Sequence, residues 1–149
     1  MTPPQPRTPQ QRKQDTLDRL DQDVDAWVAT SGGDGPYLVP LSFLWDGETL
    51  LMATSAATPT GRNLQATGRV RVGIGQTRDV VLVEGTVEVL SAVPDETADA
   101  FAARTGFDPR LPAESYPWFR VRPQRIQAWR EVDELAGRDV MRDGRWAVP

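Results

Sequence analysis

Two runs of strand-type residues, 37–45 (YLVPLSFLW) and 48–54 (ETLLMAT), are separated only by Asp46-Gly47. A link of this kind closes a tight hairpin and sets the flanking strands antiparallel, because parallel neighbours need a crossover of about a dozen residues or more. The same short spacing recurs along the chain. AWVATS (26–31) leads through a turn at Gly32-Gly33-Asp34-Gly35-Pro36 into the first of these runs. RVRVGIG (69–75) alternates as a strand with one wet face does, and DVVLVEGTVEVL (79–90) follows it closely. Gly85, in the middle of that long run, marks a bulge or bend. WFRVRPQRIQAWR (118–130) reads as a last long strand broken at Pro123, and residues 139–148 as a small closing hairpin around Asp143-Gly144. No strand–helix–strand alternation of the doubly wound kind is present.

Helical signals are few. Leu17, Leu20 and Val24 recur at helical spacing and predict a short amphipathic helix. Pro94 opens a helix with Asp95 and Glu96 in its first turn, and Gly106 stops it. Residues 1–14 are rich in proline and glutamine and poor in apolar residues, so they are expected to be a disordered tail. Residues 15–149 then form a single domain. The expected fold is mainly β and antiparallel, six or seven strands with two or three short helices, in a small closed or split β-barrel.

The composition removes whole classes of chemistry. The 149 residues include no cysteine and no histidine. Disulfides, thiolate catalysis, Ser-His and Cys-His pairs, most zinc sites and histidine-ligated haem are therefore excluded, and no metal site is expected. The net charge of −4 argues against nucleic acid and anionic membranes as partners. No apolar run approaches the ~20 residues of a membrane span, and the N-terminus has no apolar signal region, so a cytoplasmic protein is expected.

Chemistry concentrates at one corner, residues 52–64 (MATSAATPTGRNL). Ala53, Ala56 and Ala57 are small enough for a ligand to approach the backbone. Thr54, Ser55, Thr58 and Thr60 offer hydroxyls, and Thr58 or Thr60 can cap a helix starting near Gly61. A helix N-terminus favours anions, and Arg62 adds a planar charged fork suited to phosphate. Asn63 can hold a polar ring edge or the loop itself. Taken alone, the corner reads first as a capped helix with a solvated arginine, and as a ligand site second. Upstream, Pro40 cannot donate to a sheet ladder and belongs at an edge or break, which leaves neighbouring backbone groups free. Trp27 and Trp45 lie in apolar strand patterns and are assigned to the core. Trp118 and Trp129 alternate with arginines, a pattern that suits a partner interface or an anionic ligand.

In order, WVATS, YLVPLSFLWDGETLLMAT, TPTGRNL, VRVGIG and DVVLVEGTVEVL resemble the flavin-binding split-barrel proteins related to pyridoxamine 5′-phosphate oxidase, in particular the actinobacterial flavin- and deazaflavin-dependent oxidoreductases. The resemblance spans about residues 16–130. It implies a homodimer with two cofactor sites at the subunit interface. The cofactor would be FMN or the deazaflavin coenzyme F-420, passing hydride or electrons to a small organic acceptor. A non-catalytic flavin carrier and an interaction module with a decayed site are the alternatives. By the same resemblance Val39, Pro40, Leu41 and Ser42 pass the ring system. Ala53, Thr54, Ser55, Thr58 and Thr60 meet the ribityl and phosphate groups, and Arg62 and Asn63 carry the basic-then-Asn signature. Trp129 is a candidate contact from the other subunit, and Arg78, on the loop before residues 79–90, is a further charge candidate. Gly61 stands where many members carry a second basic residue, and Thr67-Gly68-Arg69 where many have Asp-Pro.

Overall fold

A computed structural model describes residues 5–149. Among these residues nine strands join one antiparallel sheet: β1 (Asp25–Gly32), β2 (Gly35–Ser42), β3 (Leu44–Trp45), β4 (Leu50–Ala53), β5 (Arg69–Gln76), β6 (Asp79–Leu90), β7 (Trp118–Trp129), β8 (Asp139–Arg142) and β9 (Arg145–Trp146). Among the described residues three α-helices decorate it: α1 (Pro9–Gln22), α2 (Pro59–Thr67) and α3 (Asp95–Thr105). The hydrogen-bonded order is β2-β1-β5-β6-β7-β4-β3, with β8 on β7 and β9 on β8. β2 and β4 lie near opposite ends of this path, yet their Cα atoms come within 8 Å. The sheet therefore curls until its ends approach without pairing, which makes it a split barrel.

The hairpin forms as its turn residues dictate. Leu44 pairs with Leu51 and Trp45 with Leu50, and the Asp46 carboxylate accepts from the Glu48 and Thr49 N–H groups and the Thr49 hydroxyl. β2 and β3 are separate strands, interrupted at Phe43, whose N–H donates to Val24 O at 2.8 Å while its ring is fully buried. Gly85 sits at a register shift, as expected. A Cβ there would lie 2.6 Å from the Val121 side chain. The extra residue is Gln124 on β7, so Pro123 is held inside a continuous strand rather than breaking it. Proline fits at this bulge because the local ladder is already interrupted. The interior is filled by Leu20, Val28, Phe43, Met52, Leu64, Val72, Val83, Phe119 and Ile126 among others.

Two further expectations are corrected. The helix begins at Pro9, not after residue 14: Thr8 Oγ1 accepts the Gln11 N–H at 3.1 Å and Pro9 takes the first turn. Its first turns are held by charge rather than by apolar burial. Arg7 pairs with Glu134, and buried Arg12 donates to the carbonyls of Ala128, Glu134 and Gly137. Residues 1–4 of the expected tail lie outside the described residues. Trp27 is not core: it is 55% exposed, on the opposite face of β1 from Ala26 and Val28. Trp45 is half-buried against the interior cluster.

Candidate functional site

The corner is the connection from β4 into α2. Thr54 and Ser55 leave β4 buried, Thr58 caps the helix, and Pro59 takes its first position. The Thr58 hydroxyl is used on both sides, accepting the Gly61 N–H at 3.1 Å and donating to Ser55 O at 2.9 Å. Pro59 has no N–H, and the Arg62 N–H already meets Thr58 O. Thr60 therefore carries the first-turn N–H without a partner among the described residues. Its hydroxyl is also unpartnered among them, although the residue is only 2% exposed. A buried hydroxyl with no partner is costly, and its presence beside a helix start fits a site completed by a ligand.

Gly61 packs against the turn before it, and a Cβ at this position would lie 2.1 Å from Ser55 O. That contact accounts for glycine where the resemblance implies a second base. Arg62 is exposed and its Nη1 donates to Ala57 O, which ties the guanidinium across the turn. The Asn63 side chain points to β1, donating to Thr30 Oγ1 at 3.1 Å. A residue that sequence reasoning missed, Glu114, enters from the loop before β7: its Oε2 accepts from Ser55 Oγ at 2.9 Å. Ser115 O from the same loop accepts the Ala56 N–H at 3.1 Å. No local pattern signals this contact, because the partners lie 59 residues apart.

The β2 residues lie on an edge strand that reaches towards both α2 and β4. Pro40 is exposed, and Val39 and Leu41 are half-buried. Ser42 Oγ donates to Asp25 Oδ1 at 2.6 Å. Ala53 ends β4 opposite Trp118, in a cluster with Phe101, whose ring meets that of Trp118 edge-on at 5.2 Å. Arg78 and Trp129 lie elsewhere. Arg78 sits in the β5–β6 turn and grips Glu131 at 2.7 Å, a hydrogen bond that raises its pKa. Trp129 pairs with Val80 at that same end, and Arg138 stacks over its ring at 5.8 Å. β7 carries Trp118, opposite Ala53 of the corner, at its first residue and Trp129 at its last, so that end of the sheet is roughly 35 Å from the corner along the strand. One copy of the chain does not bring Arg78 and Trp129 to its own corner.

Two cavities lie away from the corner. One, of about 530 Å³, opens between β1 and β5 near Ser31, Arg69, Arg71 and Glu84. The other, of about 460 Å³, lies between Trp45, Arg122, Pro123, Met141 and Trp146. Neither is lined by residues 53–63. Among the described residues no helix is long and apolar enough to cross a membrane.

Known structures share this architecture. An F-420 reductase superposes with a TM-score of 0.60 at 24% identity, covering 73% of this chain and 93% of its own. General stress protein 26 from Bacillus anthracis gives 0.65 at 18% identity, covering 78% and 92%. A FAD-binding protein from Mesorhizobium loti gives 0.60 at 19% identity, covering 76% and 90%. At these identities the likeness is one of fold. No curated protein matches the sequence. The family model described as pyridoxamine 5′-phosphate oxidase matches residues 15–130, which include the barrel strands β1–β7 and the whole corner. The chain belongs to the pyridoxamine 5′-phosphate oxidase family.

Proposed function

We propose that this chain is a flavin- or deazaflavin-dependent oxidoreductase that works as a homodimer, with a phosphorylated cofactor seated at the 53–63 corner and closed over by a second copy. The observation that carries this is the unpartnered, buried Thr60 hydroxyl at the start of α2, inside the segment matched by the family. The bound cofactor would supply the redox chemistry, taking up and delivering hydride or electrons, and the protein would supply position and surroundings.

The residues divide that work. Thr58 is consumed as the cap, so Thr60 offers the free N–H and hydroxyl, with Ser55 beside it. Arg62, exposed in the first turns of α2, supplies a positive charge. Val39, Pro40, Leu41 and Ser42 offer an apolar wall and the backbone groups of an edge strand to a planar ring. Asn63 fixes α2 against β1 through Thr30. The chain has no histidine or cysteine, so its part is to hold the reactants and exclude water.

A second copy is supported by the outer face of β1 and β2. Trp27 is 55% and Leu38 60% exposed, with Pro40 directly across from Trp27. An apolar group of this kind on a sheet face suits burial against another chain. Trp129 and Arg78, kept from the corner of their own copy, would then meet the corner of the other.

Titration of the purified protein with FMN and with coenzyme F-420, followed by turnover with a reduced donor and a small acceptor, tests the proposal. Saturable binding with turnover is the expected result. Absence of binding to either cofactor overturns it, and binding without turnover leaves a carrier in its place.

A further inference from the structure

The corner holds a negative charge of its own. The Glu114 carboxylate reaches in from the loop before β7 and accepts from Ser55 Oγ at 2.9 Å. The loop is tied there a second time by the Ala56 N–H bonding Ser115 O. Opposing charge is scarce. Gly61 cannot carry a basic side chain without displacing Ser55 O, which a Cβ would approach to 2.1 Å. The Arg62 guanidinium is tethered to Ala57 O, and the first turn of α2 keeps one uncommitted N–H, that of Thr60. One guanidinium and one carboxylate leave the corner without net positive charge.

Resting on the cofactor reading above, we propose that Glu114 is a specificity-determining residue that turns this corner against a doubly charged terminal phosphate. The favoured ligand meets Ser55 and Thr60 with a singly charged phosphodiester. A phosphate monoester such as that of FMN carries about −1.5 to −2 charges at neutral pH. It accepts hydrogen bonds and faces Glu114 as a like charge competing for the same Ser55 hydroxyl. A phosphodiester, as in coenzyme F-420, carries a single charge, and sugar-type hydroxyls can donate to Glu114 rather than repel it.

The test compares riboflavin, FMN and coenzyme F-420 on the wild type and on Glu114→Gln, with dissociation constants read from fluorescence quenching. Glu114 is exposed on a loop, and thermal unfolding checks that the variant stays folded. The expected result is that Glu114→Gln tightens FMN by about tenfold, while riboflavin and F-420 move by less than about threefold. A change in FMN affinity no larger than that in riboflavin overturns the proposal, and so does a uniform loss across all three, which would make Glu114 a positive contact. If none of the three binds either protein, the cofactor reading itself fails, and this proposal falls with it.

Discussion

The Arg7 guanidinium holds both oxygens of Glu134, at 2.7 and 2.9 Å, across 127 residues of chain. The Arg7 N–H adds a third bond to the same carboxylate, and the Arg130 N–H a fourth. Both side chains are nearly buried. The pair fastens the start of α1 to the turn after β7. Hydrogen bonding from Arg7 outweighs burial and holds the Glu134 carboxyl at about 2, below its usual value of 4.5. Arg7→Ala leaves that carboxylate buried without its main partner and is expected to destabilise the fold by about 3 kcal/mol at neutral pH. The folded pKa is depressed, so the contribution is complete above about 4.5 and is lost as pH falls towards about 2. Urea unfolding of both proteins at pH 7, 4 and 2.5 should show the difference shrinking with pH. A difference that stays constant would place the contribution outside this ion pair.

Gly61 gives a prediction that runs against family expectation. Adding a base there to strengthen phosphate binding is expected to fail, because any Cβ meets Ser55 O. Gly61→Ala should destabilise the protein by about 1–3 kcal/mol, the usual cost of overpacking. Gly61→Lys should do so comparably and bind FMN no more tightly than the wild type. Denaturation midpoints and FMN titration check both variants. Tighter FMN binding by Gly61→Lys would show that the turn yields and that the glycine is not required.

What was legible in the sequence was whatever depends on near neighbours. Asp46-Gly47 announces its hairpin because the turn bonds run between residues at most three apart. Gly85 announces the register shift because only glycine tolerates the approach of Val121. The threonines ahead of Gly61 announce a capped helix for the same local reason, and the structure uses Thr58, with the helix starting at Pro59 rather than near Gly61. Contacts between distant residues left no such trace. Arg7 and Arg12 look like a solvated tail until Glu134 and three distant carbonyls are placed over them. Glu114 is one acid in a loop until the barrel brings it to Ser55. Trp27 turns outward against expectation because AWVATS is apolar at both parities, so alternation does not say which face turns inward.

Arg62 is the guanidinium at the corner; it is tied to Ala57 O, a neutral carbonyl, and a phosphate is a stronger acceptor for the same donor. Arg62→Ala should weaken a phosphorylated cofactor by about 1.5–3 kcal/mol, the range for a hydrogen bond to a charged group. Riboflavin, which lacks the phosphate, should lose less than about 0.5 kcal/mol on the same variant. Titration of both ligands on both proteins separates the two effects. Equal losses would assign Arg62 to the fold of the turn rather than to the ligand.

Leu38 tests whether the outer face is a contact between copies. It is 60% exposed on the edge strand, across from Ala29 and beside exposed Trp27. In a monomer position 38 is mostly solvent-exposed, so Leu38→Glu should change stability by no more than about 0.5 kcal/mol. In a dimer closed through this face it would bury an unpaired charge, which costs enough to separate the copies at micromolar concentration. Sedimentation is expected to show a dimer for the wild type and a monomer for Leu38→Glu, with near-equal unfolding midpoints at low concentration. Cofactor affinity should fall with the dimer, because the corner of one copy lacks Trp129 and Arg78. A wild type that sediments as a monomer removes the second copy from the site, and a variant that stays dimeric moves the contact to another face.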